Sequence, residues 1–408
     1  MTPPEKDTLP EAAMLANLHR IPPVQALPFL HDEIARSLRI IRQVVAPPDG
    51  RSRAPLSLRA GEAAKLLGRS PTWLRKVTVE LKLTADEQDR YREISPSEMT
   101  LIRRSKLPPF DPTGQGRPFV LAFANQKGGV GKTTTALNFA QDMASRGFRV
   151  LVLDLDPQSS MTASFLIDRG DGELLSDAEM AFTEEDTAAA VMEGESRDLR
   201  ALIRKTHWPT IDIVPSSPDL SQMVLNIAVK LMEAQTSFWP ALRDATNELT
   251  TEEYDFVVID TTPAVTLDIV QISLAADGLI IPLPMRNLDI ESARAMMAVL
   301  KRWLPDLDRN LGLRLKWLRF LNTQFRAGSV GEARNETVLQ RALGHMFLPH
   351  RVPRLEALER SSAGAPSIWE QPPKTPRTAA VAARDAREIV RAVNDDILAL
   401  VGIDGGEG

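Results

Sequence analysis

The sequence predicts a doubly wound α/β domain with a mostly parallel sheet, preceded by a smaller, mainly α-helical unit. Three observations carry this. From Pro118 onward, short apolar runs alternate with longer helical patterns, at Phe119–Ala124, Val150–Leu153, Ile211–Val214, Phe256–Ile259, Leu279–Leu283 and Leu315–Leu321. That alternation is the mark of parallel strands joined by crossover helices. A glycine-rich segment follows the first run and opens a helix. Before it, Leu107–Arg117 (LPPFDPTGQGR) holds three prolines and two glycines and reads as a boundary.

Four segments follow in order: a leader over 1–50, a helical unit over 51–106, a linker over 107–117 and the α/β domain over 118–408. The leader carries Pro3, Pro4, Pro10, Pro22, Pro23 and Pro28. Within it, Ile34, Leu38, Ile41 and Val45 recur at helical spacing over His31–Val45, a stripe that could form a dimerisation helix or pack on its own domain.

Ser57–Leu83 then reads as a helix over Leu58–Leu67, a tight turn at Gly68–Ser70 and a second helix from Pro71, which is helix-turn-helix spacing. Leu58, Ala63, Leu66, Leu67, Leu74 and Val77 are its expected core. Residues 51–82 hold eight bases and two acids, net +6, in a chain whose net charge is −5. A local excess of this kind suits a phosphate footprint, against the plainer reading of a solvated helical hairpin. Arg69, Thr72, Arg75 and Lys76 stand where a recognition helix would meet bases and backbone. Tyr91–Arg103 resembles the wing and following helix of MerR-like DNA readers.

The segment with the most specific chemistry is Phe123–Leu137, FANQKGGVGKTTTAL. Gly128, Gly129 and Gly131 let backbone N–H groups turn toward an anion, and a helix starting near Lys132 adds its N-terminal dipole. Lys132 can reach β/γ-phosphates, and Thr133 offers a hydroxyl to Mg²⁺. Downstream, Val150–Gln158 (VLVLDLDPQ) places Asp154 and Asp156 after a buried strand, and Tyr254–Pro263 (YDFVVIDTTP) ends a strand in Asp260. An acid there commonly serves Mg²⁺-bound water. Residues 165–205 are acidic, with no clear strand. No N-K-x-D sequence of the guanine-binding kind occurs, which favours ATP.

These motifs resemble the ParA/MinD family. The usual G-x-x-x-x-G-K-[ST] loop would have glycine where this chain has Gln126; the form here is K-G-G-x-G-K-[ST]-T, with Lys127 directly before the glycine pair. The match continues through Ile211–Leu220 and weakly through Leu355–Pro366. Where the family often has D-x-P-P, Thr262 stands for the first proline. The resemblance implies that Lys127, Gly128, Gly129, Val130, Gly131, Lys132, Thr133 and Thr134 hold ATP, with Lys127 reaching a partner chain's nucleotide in a sandwich dimer. It implies that Asp156 orients water, that Asp154, Thr133 and Asp260 serve Mg²⁺, and that Asn322 meets adenine. Arg351 and Arg354 lie where the family contacts DNA without sequence preference. The long plasmid ParA proteins, including the RepA members of replication–partition modules, carry a helix-turn-helix before the ATPase, as this chain does. They imply autorepression at an operator, a ParB-like centromere-binding partner and a homodimer in the cytoplasm on the nucleoid.

Composition narrows the alternatives. With 43% hydrophobic and 25% charged residues, and no stretch near the ~20 apolar residues that span a bilayer, no membrane partner is expected. Zero cysteine excludes a cluster-bearing reductase on the same loop. A MinD-like positioning ATPase and a repressor regulated by nucleotide remain the other readings; an ATP-dependent ligase leaves the basic N-terminal unit unexplained.

Overall fold

The computed structural model describes residues 54–84, 92–166, 182–234, 236–263, 268–326, 328–362, 366–371 and 377–403. The leader 1–50 and its dimerisation helix, Arg51, Arg53 and Tyr91 lie outside the described residues. The chain divides at Gly50, and Arg51–Gly408 forms one compact unit.

The N-terminal part of that unit begins with β1 (Ala54–Pro55) and β2 (Leu58–Arg59), followed by α1 (Ala60–Leu66) and α2 (Pro71–Glu80). The first helix thus starts two residues later than its apolar pattern suggests. Leu58 and Arg59 pair instead, antiparallel, with Ile94 and Glu93 of β3 (Glu93–Ile94). Gly68 turns at φ +63°, where a side chain is strained, and Ser70 then caps α2 by accepting from Trp73 N. Next comes α3 (Pro96–Lys106), opened by a Ser95/Glu98 capping box. Leu58, Ala63, Leu67, Leu74 and Val77 are buried together with Ile94, Met99 and Ile102, while Leu66 is only partly covered.

The remainder is an α/β sandwich. Its strands are β4 (Phe119–Phe123), β5 (Val150–Asp154), β6 (Arg204–Lys205), β7 (Ile211–Val214), β8 (Phe256–Asp260), β9 (Gly278–Pro282) and β10 (Trp317–Leu321). Among the described residues they form one sheet in the order β10-β9-β4-β8-β5-β7-β6. Every pairing is parallel except β6 with β7. The edge strand β6 corrects the reading of 165–205 as strand-free: two residues with polar side chains give no apolar signal, and antiparallel pairing alone defines them. Residues 167–181 of that stretch lie outside the described residues.

Burial follows the pleat. Val120 and Ala122 of β4 face one core with Leu151 and Leu153 of β5, whereas Phe119, Leu121, Phe123, Val150 and Val152 face the other. Both faces are covered, as a parallel sheet requires. Between strands run α4 (Lys132–Ser145), α5 (Ser160–Leu166), α6 (Ala189–Met192), α7 (Leu220–Met232), α8 (Ala241–Asn247), α9 (Asp268–Ala275) and α10 (Asn287–Leu311). The chain ends in β11 (Thr323–Phe325), α11 (Val330–Leu343), β12 (Val352–Pro353), α12 (Glu356–Ser362), β13 (Glu370–Gln371) and α13 (Arg377–Val401). Among the described residues no helix is long and apolar enough to cross a membrane.

The segment 107–117 is no free tether. Asp111 accepts from Gly114, Gln115 and Gly116 N–H, and buried Arg117 makes a two-pronged ion pair with Asp277 at 2.7 and 2.8 Å. The N-terminal helices also seat directly on the sandwich. Arg103 stacks 3.9 Å from the Phe148 ring centroid and donates to Arg146 O, and burial lowers its guanidinium to about 10. On the far side β1 pairs with β13.

Candidate nucleotide site

Strand β4 delivers the chain into a loop whose carbonyls are taken from behind. Lys132 Nζ donates to Lys127 O at 3.2 Å, Gln324 Nε2 to Gly129 O at 2.6 Å, Thr323 Oγ1 to Val130 O at 2.7 Å and Thr135 Oγ1 to Gly131 O at 2.6 Å. With the acceptors engaged, the loop's donors are what an anion would meet. Gly129 and Gly131 stand at φ +68° and +98°, conformations that exclude most side chains. Helix α4 starts at Lys132 with its dipole pointing into the loop.

The loop lines a cavity of about 520 Å³ with Lys132, Thr133, Thr134, Asp156, Gln158, Pro263, Thr323, Gln324 and Arg354 among its walls. Beneath it stand three aspartates at adjacent strand ends, Asp154 lying directly opposite Asp260 in the β5–β8 register. Their environments differ. Asp154 is fully buried and spends its oxygens on Thr162 N (2.8 Å), Thr162 Oγ1 (2.7 Å) and Asp156 N (3.1 Å). Burial raises its carboxyl to about 6 despite those bonds. It therefore acts as a brace for the loop after β5. Asp156 reaches the cavity wall, held by Gln158 N and by Ser216 Oγ on its own carbonyl at 2.6 Å.

Asp260 is the unusual one. It has no exposed surface, and neither carboxylate oxygen has a properly formed hydrogen bond. Burial and the neighbouring Asp154 push it well above the ordinary carboxylate range, opposed by the Thr133 hydroxyl and the Lys132 ammonium. Lys132 is itself lowered by burial, with Asp260 and Asp156 acting the other way. An orphaned carboxylate beside a threonine hydroxyl at a phosphate loop fits Mg²⁺, which takes one or two protein ligands and completes its shell with water and phosphate oxygens. Among the described residues no group of three His, Cys, Asp or Glu could hold a metal ion unaided.

Other expected residues fall elsewhere. Asn322 is buried with Nδ2 on Glu336 Oε1 at 2.9 Å and is not among the cavity-lining residues; Thr323 and Gln324 are. Strand β10 turns at that point, so the next side chains take the wall. Lys127 is paired within its own chain, Nζ 2.6 Å from Asp289 Oδ1. Arg351 stacks 3.7 Å from the Phe325 ring centroid and bonds Glu336 at 3.0 Å, while Arg354 bonds Glu359 at 2.6 Å. Both line a broad second groove against α13, and Arg354 alone of the two also lines the nucleotide cavity. In the N-terminal part Arg69, Thr72 and Lys76 are exposed and Arg75 is half-buried, its Nη2 on Thr72 Oγ1 at 3.2 Å. Sequence reading missed Thr162, Ser216, Gln324 and Asp289. Of these only Ser216, in the P-S-S-P turn after a strand, carried any signal.

Comparison with known proteins agrees with this geometry. A family profile described as an AAA domain matches residues 119–312. A Sinorhizobium fredii protein provisionally named replication protein A is 26% identical over 410 residues, covering 95% of this chain and 98% of that protein. The chromosome-partitioning ATPase Soj of Thermus thermophilus is 29% identical, over 67% of this chain and 96% of its own. The chromosome partitioning protein ParA of Caulobacter vibrioides is 33% identical over 47% of this chain and 66% of its own. Among solved structures, McdA of Cyanothece superposes over 69% of this chain and 100% of its own with a TM-score of 0.53 at 18% identity. A chain described as a partition protein covers 90% of this chain and 99% of its own, TM-score 0.52 at 20% identity. Both share the fold.

Proposed function

We propose that this chain, which belongs to the ParA-type family of phosphate-loop partition ATPases, hydrolyses ATP slowly as a nucleotide-sandwiched homodimer that carries DNA. The observation that supports it most is the fully buried Asp260, short of hydrogen bonds, beside Lys132 and Thr133 beneath the loop. In this reading Lys132 neutralises the β/γ-phosphates, Thr133 and Asp260 hold Mg²⁺ and its water, and Asp156 orients the attacking water. Mg²⁺, when bound, spreads the charge that develops on the transferred phosphoryl group. Asp154 keeps Asp156 in place. Lys127 serves the partner chain's nucleotide.

The ATP form binds DNA without sequence preference through Arg351 and Arg354. A ParB-like partner stimulates turnover, and the basic N-terminal helices read an operator in the protein's own promoter. The MinD-like alternative needs a C-terminal amphipathic helix free to meet a membrane. Here the apolar stripe of α13, with Ala386, Val390, Val393, Ile397 and Val401, is buried in the sandwich core. The direct test is Lys132→Ala, assayed with a fluorescent ATP analogue and by thermal melting. Binding should be lost while the fold persists; a folded variant that binds normally refutes the site.

A further inference from the structure

The side chain given a role across the dimer is already engaged in the single chain. Lys127 Nζ sits 2.6 Å from Oδ1 of Asp289, a carboxylate with no exposed surface in the first turn of α10. The other oxygen of Asp289 takes Arg286 Nε. A carboxylate taken out of water needs a cation, and here two share one.

The backbone at Lys127 is fixed independently of this pair. Its N–H donates to Asn125 Oδ1 and its carbonyl accepts from Lys132 Nζ, both at 3.2 Å. Asn125 is in turn held by Pro282 O and Ser292 Oγ. The main chain can therefore stay put while the lysine side chain changes partner.

We propose that Asp289 is a positioning residue that parks Lys127 within the monomer, so that the nucleotide-sandwiched dimer forms only by breaking this ion pair. The proposal rests on the reading that Lys127 acts in trans. Without nucleotide, no anion on the partner competes for the ammonium, and the lysine stays at home. With ATP on the partner, a polyphosphate outbids one carboxylate that already has a second cation. Arg286 is what makes release feasible, because Asp289 keeps a guanidinium after the lysine leaves. The latch thereby ties association to nucleotide. A lysine parked nine-tenths of the time weakens the symmetric dimer by about a hundredfold, roughly a factor of ten for each chain.

The test uses the full chain with Mg²⁺ and a non-hydrolysable ATP analogue, and follows the dimerisation midpoint by sedimentation velocity. Asp289→Asn should move the midpoint to protein concentrations at least about tenfold lower. Arg286→Gln should move it the opposite way, because Asp289 then depends on Lys127 alone. In a Lys127→Ala background, Asp289→Asn should change nothing. An unmoved or raised midpoint for Asp289→Asn, with Lys127→Ala unable to dimerise, overturns the latch and leaves the trans role standing. Normal dimerisation of Lys127→Ala overturns the trans role, and the latch with it. If Asp289→Asn melts below the assay temperature, the Arg286→Gln arm decides, and a midpoint that stays or falls refutes the latch.

Discussion

Asp260 is a residue the apo fold would be better without. Burial raises the carboxyls of both Asp260 and Asp154 above their ordinary range, Asp154 to about 6, and the neighbouring Asp154 adds to the rise at Asp260. A group that binds protons more tightly when folded makes stability fall as pH rises from the unfolded value near 4 through the folded one. Asp260→Asn should therefore raise the melting temperature of the nucleotide-free protein, by about 1–2 kcal/mol of stability, and more at pH 7.5 than at pH 4.5. The same variant should lose the extra stabilisation that Mg²⁺ adds to ATP in a melting assay. An apo melting point that drops at pH 7.5 would show the carboxylate to be compensated. Asp156→Ala has another signature: it should bind ATP, turn over about 10²–10³-fold more slowly and accumulate as dimer in light scattering, and normal turnover would remove Asp156 from the chemistry. The positions of Asp156 and Asp260 were legible in the sequence because each stands at, or two residues beyond, a strand end that a buried apolar run announces, and that of Lys132 because it closes the glycine-rich loop after another such run. Asp289 and Gln324 were not. Their partners Lys127 and Gly129 are remote in the chain, and only the β9–β4 and β10–β9 pairings bring them together.

At the scale of elements, the parallel strands were legible to within a residue or two, because strands covered on both faces are continuously apolar. The two elements misjudged, Leu58–Arg59 and Arg204–Lys205, are two-residue strands defined by a partner rather than by composition. The contact between α3 and the turn after α4 is equally hidden. Gly147 has φ +86°, and a Cβ there would fall 2.6 Å from the carbonyl carbon and oxygen of Met99. Gly147→Ala should cost on the order of 2–3 kcal/mol, through backbone strain and through prising α3 off the sandwich. Chemical denaturation would check this, and a loss below about 0.5 kcal/mol would mean that α3 yields freely. The broad groove beside α13 makes a prediction of its own. Arg351→Ala and Arg354→Ala should each weaken sequence-neutral DNA binding by the ATP form and flatten its log–log salt dependence by about 0.9. Equal binding by the ATP and ADP forms would contradict a nucleotide switch.

For the whole molecule, one compact body carries both the nucleotide cavity and the basic helices. Arg75→Ala should either relax operator preference in footprinting, if Arg75 reads a base edge, or weaken all sequences alike, if it holds a phosphate. No effect on either would place the recognition surface elsewhere. A point substitution is the cleaner probe, since deleting 54–106 would bare Phe148 and the edge of β13. That seat has a bearing on how such chains can be recombined. Glu370 anchors the strap before β13 through Trp208 Nε1 and Ser367 N, and Arg391 of α13 reaches Glu62 of α1. The pairing of β1 with β13 and the reach of Arg391 to Glu62, which help to hold the N-terminal helices in place, are thus encoded more than 250 residues downstream of them. A chimera joined at 107–117 would receive the helices without their socket, and a functional graft would have to carry Gly147, the strap and the face of α13 as well.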